Sequence, residues 1–539
     1  MKGLYQHITR ITLFTTLMLF VACKSESKNE NDEEHKQPNI VFILADDLGY
    51  GDVERFNINS KIPTPNLNQM ANDGISFTNA HSPAAVCTPT RYSFLTGTYP
   101  FRADKKNGVS WIWDQPSIRK EQFTIGQMLQ EQGYYTACIG KWHLGWNWPT
   151  TNGQPATVAN EGKNVDYSKA ITGGPTERGF NYYFGDDTPG FPPHTFIENN
   201  RTVQNPDTWY EVHPFVAGAS TKDWRYEDLL SKTTAKAENY IVERSKEDKP
   251  FFLFYSMTAP HTPIAPHEDF QGKTNAGIYG DFVYEVDYSV GRILKTLDSL
   301  GLAENTLVIF TSDNGSTTQD GTGYHGEIGS MMRKYNHDGS GGLRGHKADI
   351  YEGGHRVPFI AKWKGKIKPN NTSTAILQHT DMMHTFAALT NHNLKDNTGE
   401  DSFNVLPNLL DENQTSSREA LVTQSSKGAI AIQKENWKLI MSSGSGGHWT
   451  KPFGEYATVT LTEKGNEWHN VQLYDLKKDL AETNNIAQEY PNKVNELALQ
   501  LGQYIINGRS RKGKTTEQKI ELWKQVKWVK NLHLAKTNK

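Results

Sequence analysis

A cysteine stands at position 87, followed at fixed offsets by Pro89, Thr90 and Arg91, with Leu95-Thr96-Gly97 closing the stretch. Pro89 fits the first turn of a helix, where a missing N–H costs nothing, so Cys87 is expected at a helix start among free backbone donors that favour an anion. Arg91 adds a permanent cation with a forked donor face, suited to a tetrahedral oxyanion. A thiol in that setting is expected to be acidic and exposed. A cysteine alone reads as a packing residue, because free Cys is among the most buried residue types. The full motif reverses that weighting.

Two further stretches offer oxygen. Asp46-Asp47 and Ser312-Asp313-Asn314-Gly315 each follow an apolar run and together present three carboxylates and one amide. Hard donors of this kind suit Ca2+ better than Zn2+, for which His or Cys is expected. Either stretch alone reads as a turn ending a strand; their shared position favours a common metal site. Cations and imidazoles come in three more blocks, Gly140-Lys141-Trp142-His143, Thr258-Ala259-Pro260-His261-Thr262-Pro263 and Gly345-His346-Lys347 onward. A lone His is usually structural or solvated, and a Lys–x–His spacing alone is weak; the place of Lys141, His143 and His261 behind apolar runs raises them. His267 lacks that position.

The elements that must hold these residues are legible as well. Asn39 to Leu44 is a continuous apolar run, read as a strand buried on both faces. Similar runs cover 134–139, 251–255, 306–310 and 357–361, with helical stretches at 123–132 and 282–300 between them. Strands alternating with helices imply an α/β domain whose mostly parallel sheet is covered on both faces and whose active site lies at the strands' C-terminal ends. Residues 147–214, rich in Gly, Pro, Asn and Trp, read as functional loops. A polar linker is expected from Asn391 to about Ser417, then a hairpin of strands at 429–433 and 437–441 and a further strand at 471–476.

The order Cys87-x-Pro89-x-Arg91 with Leu95-Thr96-Gly97 resembles the signature of the type I sulfatases, a family of the alkaline-phosphatase-like superfamily. Gln472 to Leu476 and Glu482 to Ile486 resemble the closing segment of that family's C-terminal subdomain, so the likeness runs from about Asn39 to about Ile486. The resemblance implies a large alkaline-phosphatase-like domain and a smaller C-terminal subdomain with an antiparallel sheet. It implies that Cys87 is oxidised to formylglycine by a formylglycine-generating or anaerobic sulfatase-maturating enzyme, and that the aldehyde's hydrate is the nucleophile. Asp46, Asp47, Asp313 and Asn314 would bind one Ca2+. Lys141 would neutralise the alkoxide, His143 would accept a proton, and His261 and Lys347 would contact the sulfate. His346 departs from the small residue often found beside that lysine. The blocks 177–180 and Pro192-Pro193-His194 resemble N-acetylgalactosamine-6-sulfatase-like members, pointing to a sulfated polysaccharide or oligosaccharide as substrate. The rivals are a phosphonate or phosphodiester hydrolase of the same superfamily and a lipoprotein that binds sulfated glycan without turnover.

Lys2 and Arg10 precede an apolar run, Ile11 to Ala22, which ends at Cys23: the layout of a secretory signal, too short to span a bilayer as a mature helix. Ala22-Cys23 resembles a bacterial lipobox with Phe20 where leucine is usual, so lipid on Cys23 and plain cleavage both stand. Residues 24–37 carry five carboxylates and no aromatic ring, and cannot bury enough surface to fold. The division expected is signal 1–22, tether 23–37, catalytic domain 38–400 and C-terminal subdomain 401–539. Export to the periplasm or outer membrane follows, with secretion as the alternative and membrane attachment only through the lipid. With 57 basic against 60 acidic residues, nothing suggests nucleic acid as a partner. Three cysteines tell against a disulfide framework, and the 13 Trp and 23 Tyr fit sugar stacking and an ordinary large core equally.

Overall fold

The computed structural model describes residues 36–211, 216–447, 459–460, 467–468, 470–516 and 524–532. The apolar leader, the tether up to residue 35 and residues 517–523 and 533–539 lie outside the described residues. The apolar runs become strands, numbered with two additions, β2 and β4, as β1 (Asn39–Ala45), β2 (Ile75–Phe77), β3 (Tyr135–Gly140), β4 (Tyr182–Gly185), β5 (Phe251–Ser256), β6 (Thr306–Ser312) and β7 (Phe359–Lys362). They form the middle of a ten-stranded sheet in the order 371–373, β2, β7, β6, β1, β5, β3, β4, 197–198, 201–202. β1 pairs in parallel with β5 on one side and β6 on the other, and β3 continues the parallel set between β5 and β4. β7 runs antiparallel to both β6 and β2. The sheet is therefore mixed and mostly parallel, and every strand end that the sequence marked with polar residues falls on one edge.

Alternation along β1 shows why a continuous apolar run is needed. Ile40, Phe42 and Leu44 enter one core cluster while Val41, Ile43 and Ala45 enter the other, so both faces are buried. Helices α1 (Pro65–Asn72), α2 (Cys87–Thr96), α3 (Ile125–Glu131), α4 (Leu229–Arg244) and α5 (Gly277–Ser299) cover the faces. Phe94, Met128 and Leu129 from α2 and α3 join the first cluster; Leu67, Met70, Ile241 and Val286 from α1, α4 and α5 join the second. α3 starts after Thr124, whose side chain accepts the Gln127 N–H at 3.2 Å while Gln127 Oε1 accepts the Thr124 N–H at 3.0 Å. This capping box places the boundary two residues inside the expected stretch.

A separate four-stranded antiparallel sheet follows, built from Leu421–Gln424, Ile430–Lys434, Trp437–Ile440 and Gln472–Asp475. The helix Pro491–Ile506 packs on it through Val494, Leu497 and Leu501. The polar linker expected from Asn391 to Ser417 is not one. Val405 and Leu409 are buried in the first core cluster, and Asp401, fully buried, accepts from Arg102 Nε at 2.6 Å and Nη2 at 2.7 Å. The segment is tied in by polar contacts: the Asp401 carboxylate neutralises buried Arg102, and the Asp401 carbonyl accepts from buried Arg418, whose own carboxylate partner is Asp381.

Removing one partner of a buried pair leaves an uncompensated charge, at a cost of about 3–5 kcal/mol. Asp401→Ala is therefore expected to lower the unfolding free energy by that amount in urea titration, and a loss below about 1 kcal/mol would contradict the role given to Asp401.

Candidate active site

The parallel ladder continues one residue past the strand ends and sets the first polar groups in place. Asp46 N donates to Ala259 O at 3.0 Å, Asp313 N to Ala45 O at 3.0 Å and Lys141 N to Ser256 O at 2.8 Å. Gly140 is required where β3 meets β5, because a Cβ there would stand 1.8 Å from Ser256 O. Beyond the ladder the chain turns sharply, with Asp47 at φ 67° and His143 at φ 55°, conformations that cost non-glycine residues energy and gather at functional sites.

Three fully buried or nearly buried carboxylates, Asp46, Asp47 and Asp313, then face three cations. Lys141 Nζ lies 2.6 Å from Asp46 Oδ2, and Lys347 Nζ lies 2.6 Å from Asp47 Oδ2. Asp47 N donates to Asp313 Oδ1 at 3.2 Å, and Asn314 Nδ2 donates to Asp47 Oδ1 at 2.8 Å. That leaves Asp46 Oδ1 and Asn314 Oδ1 buried with no hydrogen-bond partner. Ligand atoms of Asp46, Asp47, Cys87 and His261 all fall within 4.8 Å of one another. Orphaned oxygens within a set of hard donors are what a Ca2+ site needs, so the residues fit that ion.

Cys87 is the first residue of α2, as its proline predicts, and Gly97 closes the helix in the left-handed conformation at φ 66°. The chain is tied in on both sides: Thr90 Oγ1 donates to Ala84 O at 3.0 Å and Thr88 Oγ1 to His143 O at 3.0 Å. The expectation of an exposed, acidic thiol fails. Cys87 is buried, and burial pushes its thiol up to about 12 although Lys141 and Lys347 pull it down. The helix start opens into a closed charge cluster, not into water. Arg91 also departs from expectation. Its fork closes on Asp313, with Nε at 3.1 Å and Nη2 at 2.8 Å from Oδ2, and Nη1 donates to Lys141 O at 3.2 Å and to Ser256 Oγ. It holds a carboxylate and the lysine's backbone in place, and Nη2 stands 3.8 Å from Asp46 Oδ1.

His143 Nε2 lies 3.0 Å from Ser110 O, which can only accept, so Nε2 carries the proton and Nδ1 is a bare lone pair, buried and unpartnered. Burial, then Lys141 and Arg91, hold the imidazole well below its ordinary range and so neutral. By the same logic the His261 proton sits on Nδ1, against Thr262 O, and Nε2 stands 3.8 Å from Asp47 Oδ2. His267 caps a short turn at Asp269 N, away from these groups. His346 Nδ1 lies 3.1 Å from the Lys347 carbonyl.

Comparison with known proteins settles what holds this geometry in common. The Sulfatase family profile matches residues 38–392. A Bacteroides thetaiotaomicron N-acetylgalactosamine-6-O-sulfatase is 33% identical over 530 residues, covering 90% of this chain and 97% of its own length. The chain belongs to the type I sulfatases. It is a sulfuric ester hydrolase. Human arylsulfatase A is similar at 32% identity over 471 residues, covering 84% of the sulfatase and 83% of its own length. A solved sulfatase described with the metabolism of multiple glycosaminoglycans by Bacteroides thetaiotaomicron superposes with a TM-score of 0.71 at 30% identity, covering 86% and 98% of the two chains.

Around this sulfatase's centre the structure adds groups that sequence reasoning passed over. Asp187 accepts the His143 N–H through its carbonyl at 3.0 Å and Oδ1 at 3.2 Å, and Ser110 fixes the imidazole. Burial, with Asp187 next, pushes Asp186 up to about 7, and burial pushes Asp187 up to about 6. Asp186-Asp187 directly follows the apolar strand β4, the same signal that singled out Asp46-Asp47.

The orphaned oxygens predict a stability gain from the ion. A ligand at 1,000 times its Kd adds about 4 kcal/mol to the native state, so millimolar Ca2+ should raise Tm by several degrees over chelated protein. Asp46→Asn should abolish most of that rise in differential scanning fluorimetry; an undiminished rise would move the ion elsewhere.

Proposed function

We propose that this sulfatase removes sulfate from the sugar units of a sulfated polysaccharide or oligosaccharide of glycosaminoglycan type, using a formylglycine at position 87 and one Ca2+. The observation that carries this reading is the buried cluster itself, in which position 87 opens a helix among Lys141, Lys347 and two unpartnered oxygens. The relatives named for N-acetylgalactosamine-6-O-sulfate and glycosaminoglycans support the substrate class, while specificity lives in loops rather than in the fold.

Hydrated formylglycine would supply an oxygen nucleophile with a second hydroxyl, which a thiol lacks. Ca2+ held by Asp46, Asp47, Asp313 and Asn314 would supply charge opposite a sulfate oxygen. Lys141, fully buried, stabilises negative charge at position 87; burial opposes its own charge, but Asp46 keeps it protonated. Lys347 is held protonated by Asp47 in the same way and presents its ammonium to the ester. His143 offers Nδ1 as a proton acceptor, since its Nε2 proton is committed to Ser110. His261 presents Nε2, which burial first and then Lys141 and Lys347 keep unprotonated; the negative charge of a bound sulfate opposes that effect and lets the imidazole carry a proton to the bridging oxygen as the alcohol leaves. Arg91 fixes Asp313. Preorganised charge of this kind, placed where charge develops, is usually the largest contribution to rate.

Export and a lipid on Cys23 complete the proposal, supported by Ile11 to Ala22 ahead of Cys23. They would place the enzyme where extracellular glycan arrives, with a maturating enzyme as its partner during synthesis.

Peptide mass spectrometry of active protein should find formylglycine at position 87 and lipid on Cys23. Full activity with an unmodified thiol would sink the mechanism, and an unlipidated Cys23 would sink the anchor. General acid help typically contributes about 10²- to 10⁴-fold and matters for a sugar alkoxide far more than for nitrophenolate. His261→Ala should therefore lose at least about tenfold more kcat on N-acetylgalactosamine 6-sulfate than on nitrophenyl sulfate; equal losses would reduce His261 to a sulfate contact.

A further inference from the structure

The loop leaving β4, residues 186–194, is tied to the catalytic centre at its start through Asp187 and His143. Three of its polar atoms are buried without a hydrogen-bond partner: Asp186 Oδ1, Thr188 Oγ1 and His194 Nε2, on residues 3%, 2% and 1% exposed. Buried polar groups in native proteins are nearly all satisfied, so three within nine residues mark a place where a polar ligand belongs. Tyr226 stands at the far end of the loop. Its hydroxyl lies 3.5 Å from His194 Nδ1.

Aromatic rings stand in the same place. Phe191 meets the His143 ring edge-on at 6.3 Å and the Trp111 ring at 4.6 Å. Trp111 is 44% exposed and follows Ser110, whose carbonyl fixes His143. An exposed indole is thus two rings away from the catalytic imidazole. Indole faces bind the C–H face of a pyranose, and buried carboxyl and imidazole groups bind its hydroxyls.

We infer that loop 186–194 and Trp111 form the recognition wall for the sugar that carries the sulfate, with Asp186 Oδ1 and His194 Nε2 binding its hydroxyls and Trp111 its ring face. The inference rests on the sulfatase reading above and deepens it. The sugar it fits is a neutral hexose or N-acetylhexosamine. A uronic acid would bring a carboxylate beside Asp186 and Asp187, two carboxyls whose burial already opposes ionisation, and like charges there are costly.

Turnover of N-acetylgalactosamine 6-sulfate and of nitrophenyl sulfate, which has no hydroxyls, tests the polar pair. Asp186→Asn and His194→Ala should each lose about tenfold or more kcat/KM on the sugar relative to nitrophenyl sulfate, the worth of about 1.4 kcal/mol. Equal losses on both probes would show that the loop only supports the fold and would overturn the inference. Calorimetric binding of N-acetylgalactosamine 6-sulfate to Cys87→Ser protein tests the wall without turnover: Trp111→Ala added to it should weaken binding, and Trp111→Phe should restore most of it. No binding, or no effect of Trp111→Ala, would also overturn the inference. Turnover of a uronate 2-sulfate as efficient as that of the hexosamine sulfate would overturn the choice of a neutral sugar. If mature protein hydrolyses neither sulfate ester, the sulfatase reading fails, while the calorimetric arm still decides on the wall.

Discussion

Three carboxylates buried side by side cannot stand without counter-charge, and the molecule is arranged to deliver it. Asp46 and Asp47 end β1, Asp313 ends β6, and the parallel pairing of those strands brings the carboxylates together at the sheet edge. Each cation arrives from a different part of the chain: Arg91 from α2, Lys141 from the end of β3 and Lys347 from the loop before β7. Burial and the Asp46 charge raise the Asp313 carboxyl even with Arg91 against it. Three cations thus meet three carboxylates, and the orphaned oxygens of Asp46 and Asn314 are the acceptors of the cluster that these pairings leave unmatched.

The loop that carries Lys347 is in turn held from behind. Lys347 N donates to Ser316 O at 2.9 Å, and Ala348, at φ 80°, donates to Ala85 O at 2.7 Å, two residues before Cys87. Further along, Lys438 from the second sheet reaches Glu352 Oε1 at 2.9 Å and Glu482 Oε1 at 2.9 Å, and lies 3.0 Å from His355 Nε2. Burial opposes ionisation of Glu352, but Lys438 and its other cationic neighbours hold it well below the usual carboxylate range. His81, Glu352 and His355 gather like metal ligands, yet the Lys438 ammonium already supplies the cation. The antiparallel sheet thereby meets the chain just beyond Lys347 through a buried charge network.

Much of this was legible from residue order because both signals are local. A run such as Asn39 to Leu44 has only one comfortable place, inside a sheet covered on both faces, and a polar pair at its end must lie on the sheet's edge. The antiparallel hairpin near Trp437 was equally plain. What failed depended on groups distant in sequence. Where the Arg91 fork points is decided by Asp313, more than 200 residues away. The stretch from Asn391 to Ser417 looked like a linker because its carboxylates resemble surface residues until Arg102 is seen beside Asp401 and Arg509 beside Asp396. Ser110 went unread because a single polar residue in a loop carries no periodicity, and Asp186-Asp187 because the strand before it, Tyr182–Gly185, is only four residues long and lies within the loop-like stretch 147–214.

His143 shows how closely chemistry and recognition are bound together here. Its φ of 55° is held by Asp187 through the backbone N–H, its tautomer by Ser110 through Nε2, and its ring face by Phe191. Asp187 and Phe191 belong to the loop whose polar atoms lack partners, and Ser110 precedes the exposed Trp111. Any ligand that orders the loop or settles on Trp111 therefore acts on residues that also set the orientation of the base. Remote binding energy can be used in this way to align reacting groups. A small aryl ester, which makes few of those contacts, forgoes that alignment and compensates only through its better leaving group.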